Sequence, residues 1–225
     1  MQLLRDGAAV SPGLAGGAIA IGNFDGVHIG HQAVIGAAVA RARAKGAAAL
    51  VATFEPHPSR FFRPETPPFA LTTLDQKLEL FAGLGVDAVA VLPFDAALAA
   101  LPAETFVADW LVGRLKPAHV VTGEDFSFGR QRGGNAATLA ALGRDHGFTT
   151  QALAPVLKDG VPISSTRVRA ALDAGDMAEA ARLLTRPFTI RGKVIHGDKR
   201  GRTIGVPTAN MEMGAYCRPK YGVYA

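Results

Sequence analysis

The sequence predicts an α/β fold with a mainly parallel sheet, and two observations carry that prediction. Short apolar runs without turn residues alternate with longer segments whose apolar residues recur at helical spacing. Glycine-rich or polar loops follow several of the apolar runs. Strands that alternate with helices form βαβ units, whose ligands bind beyond the carboxyl ends of the strands. We therefore expect the functional residues in the loops that follow the strands.

The predicted elements succeed one another along the first 153 residues. A strand at 18–21 leads through a Gly-rich turn into a helix at 31–45, in which Val34, Ile35, Ala38 and Val39 have helical spacing. Further strands are predicted at 48–54, 88–92, 119–122 and 149–153, and further helices at 74–84, 102–115 and 135–146.

A domain boundary is predicted near Arg186. Ala-rich helical sequence runs through Leu184, and alternating, Gly-punctuated residues typical of β-structure follow Pro187. We assign residues 1–184 to a first domain and residues 185–225 to a second. The second has about forty residues, too few for an all-β domain with its own core, so we expect it to be incomplete.

Composition restricts the class of protein. Of the 225 residues, 48% are hydrophobic, which suffices for a globular core. The single cysteine, Cys217, excludes an intrachain disulfide, and no apolar run reaches membrane-spanning length. Arg5 and Asp6 stand where the apolar part of a secretory signal would lie. We expect a cytoplasmic protein that does not bind membranes, and homo-oligomer formation stays open.

The net charge of +5 is concentrated in one segment. Seven basic residues and one acidic residue lie between Arg182 and Arg202, so the remainder of the chain is close to neutral. A basic face with interleaved aromatic residues is not evident, since aromatic residues make up 7% of the chain. We expect anionic small molecules as partners, and no nucleic acid.

The segment GNFDGVHIGH, from Gly22 to His31, joins the first strand to the first helix. A helix start offers unpaired N–H groups and the positive end of the helix dipole, and glycines such as Gly22 and Gly30 allow a ligand to approach the backbone. His28 and His31 share a helical face, where imidazoles can hydrogen-bond phosphate oxygens. We therefore predict a phosphate site that includes Asn23, Phe24 and Asp25.

Two other interpretations of this turn stay open at this point. His28, His31 and Asp25 have the composition of a metal site with two histidines and one carboxylate. Alternatively, the segment is a plain strand-to-helix turn with solvated histidines. The open glycine spacing and the absence of a nearby cysteine favour phosphate.

Two later loops suit a planar aromatic ligand. Prolines in FEPHP, residues 54–58, fix the backbone directions of Phe54 and His57, and Phe62 follows in a Pro-rich loop. GEDFSFG, residues 123–129, offers the Asp125 carboxylate to a ring N–H or a sugar hydroxyl, and Phe128 to a ring face. Core phenylalanines under a surface loop explain the first motif equally well.

The string ISSTRVR, residues 163–169, opens a helix with three hydroxyls and two guanidiniums. Ser164, Ser165 and Thr166 can cap backbone N–H groups or hold phosphate oxygens, and Arg167 and Arg169 can form forked contacts to phosphate. Two arginines at a helix start oppose the helix dipole, a local cost that anion binding explains. We predict a second part of the phosphate site here.

These motifs resemble, in order, those of prokaryotic FAD synthetases, the bifunctional riboflavin kinase/FMN adenylyltransferases. GNFDGVHIGHQ is similar to that family's form of the H-x-G-H signature of nucleotidyltransferases. EPHP, GEDFSFG, ISSTRVR and a final segment that ends in PTAN, residues 207–210, extend the resemblance. It implies a Rossmann-like nucleotidyltransferase domain with a parallel sheet, followed by the start of a riboflavin kinase β-barrel in a C-terminally truncated chain.

The resemblance also implies an activity and its residues. AMP would pass from ATP to FMN, which yields FAD and pyrophosphate; full-length members also phosphorylate riboflavin to FMN. His28, His31 and Arg169 would be catalytic, and the triphosphate would lie on the Gly-rich turn and on residues 164–167. The implied flavin-binding residues are Phe54, His57, Phe62, Asp125 and Phe128.

The kinase half is implied only in part. Thr208 and Asn210 would help bind Mg²⁺ and nucleotide phosphates there, while the family's catalytic Glu and remaining strands do not follow. In the adenylyltransferase half, Mg²⁺ would enter with ATP, held by phosphate oxygens and water rather than by a dedicated cluster of protein ligands.

Two alternative functions remain from the sequence. Another adenylyl- or cytidylyltransferase would share H-x-G-H and ISSTR but would lack the other three motifs. A non-catalytic flavin- or RNA-binding protein would use the same loops without turnover.

Overall fold

The protein, described here as a computed structural model for residues 1–196 and 209–224, is built on a parallel sheet. Its strands are β1 (Gln2–Leu4), β2 (Ala18–Ile21), β3 (Ala49–Glu55), β4 (Ala88–Pro93), β5 (His119–Gly123), β6 (Ser127–Phe128), β7 (Gly134–Asn135), β8 (Thr149–Leu153), β9 (Leu157–Lys158), β10 (Val161–Pro162), β11 (Val194–Ile195) and β12 (Asn210–Met211). Six of them form the main sheet in the order β1-β4-β3-β2-β5-β8, with every neighbouring pair parallel. The predicted α/β class is confirmed.

Helices connect these strands and cover the sheet. They are α1 (Ile29–Ala44), α2 (Pro58–Phe62), α3 (Leu74–Gly83), α4 (Ala96–Ala100), α5 (Ala103–Thr105), α6 (Ala136–His146), α7 (Ser165–Ala174) and α8 (Met177–Leu184). Short 3-10 turns lie at Pro12–Leu14 and Arg130–Arg132. Most predicted elements are present within one or two residues of their predicted bounds, because the apolar periodicity that defines them is also what buries them.

The two faces of the sheet pack against different helices because strand side chains alternate. Ile19 and Ile21 join the core under α6 and the helical residues 106–115, whereas Ala18 and Ala20 join the core under α1 and α3. A third apolar cluster lies between α7 and α8 and includes Leu71 and Cys217. Together, these clusters fix the loops at the carboxyl edge of the sheet.

The strand order reverses direction at β2. The chain adds β3 and β4 on one side of β2 and then crosses to add β5 and β8 on the other. In open parallel sheets the loops on either side of such a reversal separate and leave a crevice beyond the carboxyl ends of the strands. The three motif-bearing loops that follow β2, β3 and β5 therefore lie side by side.

Three features differ from the sequence prediction. Gln2–Leu4 forms an additional edge strand beside β4. A strand of three residues is too short to be predicted from apolar periodicity. The predicted helix at 102–115 consists of α5 followed by ten π-helical residues, Phe106–Leu115, which end with a bond from the Lys116 N–H to the Leu111 carbonyl at 2.7 Å. α1 begins at Ile29, two residues before the predicted start, because His28 caps it.

The second predicted domain has little regular structure in its described part. Val194–Ile195 pairs antiparallel with Asn210–Met211, and Ala70 forms an isolated bridge to Tyr216. This short ladder does not confirm the predicted β-barrel. Thr208 and residues 197–207 of the PTAN-containing segment lie outside the described residues, whereas Asn210 is exposed in β12.

Among the helices in the described part of the chain, none combines the length and apolar character needed to cross a membrane.

The buried Leu111 side chain tests whether the π-helical segment packs on the sheet as described. Leu111 is fully buried, so Leu111→Ala should lower the free energy of unfolding by about 2–5 kcal/mol, through lost burial and an unfilled cavity. Leu157→Ala removes the same atoms from an exposed side chain and should cost less than about 0.5 kcal/mol. Urea denaturation of both variants measures the difference; equal effects would contradict the packing.

Candidate functional site

The turn between β2 and α1 has an unusual backbone. Phe24 and Val27 have φ of 49° and 42°, and Gly26 between them has φ of 85°. The left-handed region is unfavourable for a β-branched residue such as Val27, so the surrounding structure must hold the turn in place. Gly26 is also required by space, because a Cβ there would lie 2.8 Å from Leu71 Cδ1.

His28 and His31 form a stacked pair at the start of α1. Their ring centroids are 3.6 Å apart, and the N–H of His31 donates to Nδ1 of His28 at 3.3 Å. Phe24 contacts His31 edge-on at 5.3 Å. The Nδ1 atom of His31 is buried and has no hydrogen-bond partner within the described residues. The predicted shared face of the two imidazoles is therefore present.

Burial keeps both imidazoles neutral. It lowers the pKa of His28 from 6.5 to about 4, with Asp25 opposing the shift and Arg169 and Arg186 adding to it. The pKa of His31 also falls well below 6.5, chiefly through burial and then through His28, Lys77 and Arg169. A neutral imidazole presents one N–H donor, and an anion bound beside it raises its pKa. The pair can thus donate to phosphate and gain a proton as negative charge accumulates.

Asp25 ties the turn to two other parts of the chain. Its buried carboxylate accepts from the backbone N–H groups of Leu71 and Thr72 at 2.9 and 3.1 Å, and from Arg169 at 2.5 Å. Ser165 adds a bond from its hydroxyl to the Asp25 carbonyl at 2.8 Å. The carboxylate is thus fully engaged by the protein, which disfavours the interpretation of Asp25 as a metal ligand.

The start of α7 lies directly against the turn. Ser164 caps the helix by accepting from the Arg167 N–H at 3.2 Å, and Thr166 is exposed. A Cβ on Gly30 would lie 3.6 Å from the Ile163 carbonyl, so the two predicted phosphate segments meet at Gly30. The structure therefore brings the H-x-G-H and ISSTR motifs together.

The two arginines of α7 have partners within the protein. Arg167 forms a 2.6 Å ion pair with Glu179 and donates to the carbonyls of Lys158 and Val161. Arg169 bonds to Asp25 and to the Phe69 carbonyl, and lies 5.1 Å from the Phe69 ring centre. The sequence analysis explained two arginines at a helix start by anion binding. In the structure, the Glu179 and Asp25 carboxylates compensate their charge within the protein.

The predicted flavin residues divide into core and exposed groups. Phe54 and Phe128 are buried in the core beside Phe106. Phe62 is 63% exposed and lies edge-on to Phe94, and Asp125 is exposed in the loop after β5. β2 lies between β3 and β5, so the histidine turn is flanked by both loops.

His57 has a structural position in its loop. It caps α2 by accepting from the Ser59 N–H at 3.1 Å, follows the cis Glu55–Pro56 bond, and meets the Phe69 ring edge-on at 5.2 Å. Burial lowers its pKa to about 4. His57 is therefore a neutral side chain between the loop after β3 and the segment that holds Asp25.

Sequence reasoning missed two cations at the turn, the buried Lys77 and the half-buried Arg186. Lys77 of α3 donates to the Asn23 carbonyl at 3.0 Å, and Arg186 donates to the Gly26 and Leu184 carbonyls at 2.7 and 3.0 Å. Lysine and arginine are usually exposed to solvent, so the local sequence does not distinguish these two residues from surface cations. Only their distant packing partners, separated by 54 and 160 residues, show where they lie.

The basic segment is partly neutralised by internal contacts. Arg182 pairs with Glu179 at 3.0 Å, and Arg191 forms two bonds to Glu79 at 2.6 and 2.7 Å. Arg186 is used at the turn. The described part of this segment therefore presents less free positive charge than its composition indicates.

No group of three His, Cys, Asp or Glu side chains placed to hold a metal occurs in residues 1–196 and 209–224.

The buried histidines predict an acid-labile fold. Their folded pKa values lie below the unfolded value of 6.5, so the unfolded chain binds more protons as the pH falls, and stability decreases. For His28 alone the loss between pH 7 and pH 5 should be about 2 kcal/mol. Urea unfolding at both pH values measures it. His28→Asn should reduce the slope, whereas replacing the exposed His146 with Gln should not.

Two family models match this chain. Residues 12–167 match the family model of FAD synthetase, and residues 184–225 match that of riboflavin kinase. A crystal structure described as a macrolide-efflux protein from Streptococcus pneumoniae has a TM-score of 0.87 and 30% identity, and the match covers all of this chain and 73% of that one. That name describes the other protein.

Curated relatives agree with the family models. Proteins from Escherichia coli K12 and Pseudomonas fluorescens, each named bifunctional riboflavin kinase/FMN adenylyltransferase, are 42% and 44% identical over 92% and 100% of this chain. The matches cover 66% and 72% of those relatives, so the chain spans about two thirds of their length. The motifs, the placement of the histidine turn and these matches lead to one conclusion: the chain belongs to the FAD synthetase family.

Proposed function

We propose that this chain transfers AMP from ATP to FMN and forms FAD and pyrophosphate. The observation that carries the proposal is the neutral His28–His31 pair at the start of α1, at the carboxyl edge of the sheet, in a chain of the FAD synthetase family. A helix start with imidazole donors suits the phosphates of a nucleotide.

In this reaction a phosphate oxygen of FMN attacks the α-phosphorus of ATP. The new bond joins that oxygen to the α-phosphorus, and the bond to the oxygen that bridges to the β-phosphate breaks, which releases pyrophosphate. Negative charge grows on the leaving group. The protein contributes alignment and fixed donors rather than a side-chain nucleophile.

The chain's own residues would divide these tasks. His28 and His31 would donate to the phosphates, and His31 would take up positive character as charge accumulates, since its lowered pKa leaves it neutral beforehand. The turn from Gly22 to Gly30 would provide backbone N–H groups. Ser164, Thr166 and the first turn of α7 would approach the triphosphate from the other side.

The paired residues at the site would act mainly by position. Arg169 and Asp25 hold α7 against the turn, and Arg169 would add positive charge beside the histidines. Arg167 would hold α7 against α8 through Glu179. Each therefore supports the phosphate geometry from within the protein.

The flavin would bind across the loops after β3 and β5. Phe62 has an exposed ring that can cover a planar ligand, and the exposed Asp125 carboxylate can accept from a ring N–H. Phe54, His57 and Phe128 would form the floor and the rigid frame beneath it. The flavin phosphate would then point to the histidine turn between the two loops.

Mg²⁺ would arrive as part of the ATP complex, where it neutralises phosphate charge. Phosphate oxygens and water satisfy most of its octahedral shell, so a dedicated protein cluster is not needed. Asn23 and the hydroxyls at the α7 start would contact that hydrated complex.

Chromatographic detection of FAD tests the function directly. Incubation of the chain with ATP, Mg²⁺ and FMN should yield FAD and pyrophosphate. A matched reaction with riboflavin tests whether residues 1–225 also supply the kinase step. FAD from neither reaction, with the protein folded, would overturn the proposed function and favour another acceptor or a binding role.

The histidine pair provides the most specific variant. His31→Ala should lower the rate of FAD formation by about 10²–10³-fold, the usual effect of removing one donor that acts in the transition state. Folding should be affected far less than activity: the variant loses ring contacts with His28 and Phe24, but Nδ1 of His31 has no hydrogen-bond partner to lose within the described residues. His146→Ala, at an exposed position at the end of α6, is the control and should retain full activity.

A further inference from the structure

Lys77 is a buried charge that the fold does not require. The residue is 3% exposed in the middle of α3, and its ammonium donates to the Asn23 carbonyl at 3.0 Å. No carboxylate of the described residues pairs with it; Asp25 and Glu55 act on it only at longer range. The Asp25 oxygens are already engaged by Leu71, Thr72 and Arg169.

Lys77 makes one hydrogen bond within the described residues, and the carbonyl that accepts it does not depend on it. Asn23 O accepts a second bond from the Thr53 hydroxyl at 3.1 Å, so it stays satisfied without the ammonium. Burial lowers the pKa of Lys77, which shows that the environment penalises its charge. An apolar side chain of similar length would fill the same space without that penalty. A structural role therefore does not account for the charge.

The surroundings of Lys77 indicate what the charge serves. Asn23 precedes the histidine pair in the same turn, and its side-chain Oδ1, like Nδ1 of His31, is buried without a partner in the described part of the chain. Buried polar atoms are normally satisfied, so such groups mark a place that a ligand completes. A cation fixed behind that place attracts an anion strongly because the intervening medium is poorly polarisable.

We propose that Lys77 is a positioning residue of the nucleotide site, whose buried ammonium beside Asn23 attracts the phosphates that bind over the turn. The proposal rests on the proposed function, since it assigns the charge to the same anion. Lys77 acts through the electrostatic field of its ammonium and does not itself touch the substrate. It also explains why an apolar residue does not occupy this position.

The charge also controls the protonation of His31. The groups that face His31 are His28 in the turn, Lys77 from α3 and Arg169 from α7. All three oppose its protonation, together with burial. Removal of the Lys77 charge should therefore raise the pKa of His31, and an unchanged titration would show that the charge does not reach the imidazole.

The test compares Lys77→Met with Lys45→Met, which makes the same substitution at an exposed position at the end of α1. Isothermal titration with inorganic pyrophosphate measures anion binding, and NMR titration of the His31 ring protons measures protonation. Lys77→Met should weaken pyrophosphate binding roughly tenfold or more and move the His31 titration upward. Its melting temperature should stay the same or rise, and Lys45→Met should change none of these values.

Lys77→Gln separates the charge from the hydrogen bond, because an amide can still donate to the Asn23 carbonyl, and it serves if the methionine variant does not fold. It should weaken pyrophosphate binding as Lys77→Met does. Unchanged pyrophosphate affinity in a folded variant, or a lowered melting temperature with an unchanged His31 titration, would overturn the proposal. If the wild-type chain forms no FAD while the Lys77 variants still lose pyrophosphate affinity, the proposed function fails and the role of Lys77 in anion binding stands.

Discussion

The Asp25 carboxylate holds the site together. It accepts from the backbone of Leu71 and Thr72 and from the Arg169 guanidinium, and all of these partners lie more than 40 residues away in sequence. These bonds connect the strained turn after β2 to the segment before α3 and to α7. A buried carboxylate that loses one such partner becomes costly, so the three segments are held as one unit. The histidine pair takes its position from this unit.

Three cationic side chains, each from a different part of the chain, lie around the turn. Lys77, Arg169 and Arg186 reach it from α3, α7 and the residues after α8, and they act with burial to keep His28 and His31 neutral. A site in this state gains stability when an anion enters, since the anion relieves the repulsion among the cations. A bound anion would also favour positive character on the imidazoles during the proposed transfer of AMP.

The residues after α8 contact the segments that Asp25 holds together. Gln76 bonds to the Thr189 carbonyl and to the Tyr216 hydroxyl, and Arg186 reaches the turn itself. Cys217 packs between α7 and α8, and its N–H donates to the Ala70 carbonyl at 2.8 Å. The segment that matches riboflavin kinase therefore shares contacts with the segment that holds Asp25. These contacts give the two matched regions a direct physical connection.

Local pattern predicted much of the fold and the general location of the site. Strand Ala18–Ile21 and helix Ala136–His146 follow from apolar runs, helical spacing and the Asn135 cap, all of which are local. The π-helical geometry of Phe106–Leu115 and the edge strand at Gln2–Leu4 were missed. The edge strand depends on pairing with the distant β4, and apolar periodicity does not distinguish a π-helix from an α-helix.

The sequence by itself determined the α/β class, the family and the loops in which we propose the site, because motif spacing and apolar alternation are properties of neighbouring residues. Only the tertiary structure decided which hydrogen-bond and ion-pair partners the side chains at the site have. The ion pair of Arg167 with Glu179 joins residues 12 positions apart. Arg169 bonds to Asp25 across 144 positions, and Lys77 bonds to Asn23 across 54. Charge, burial and partnership at the site arise from these long-range contacts, so they become visible only once the chain has folded.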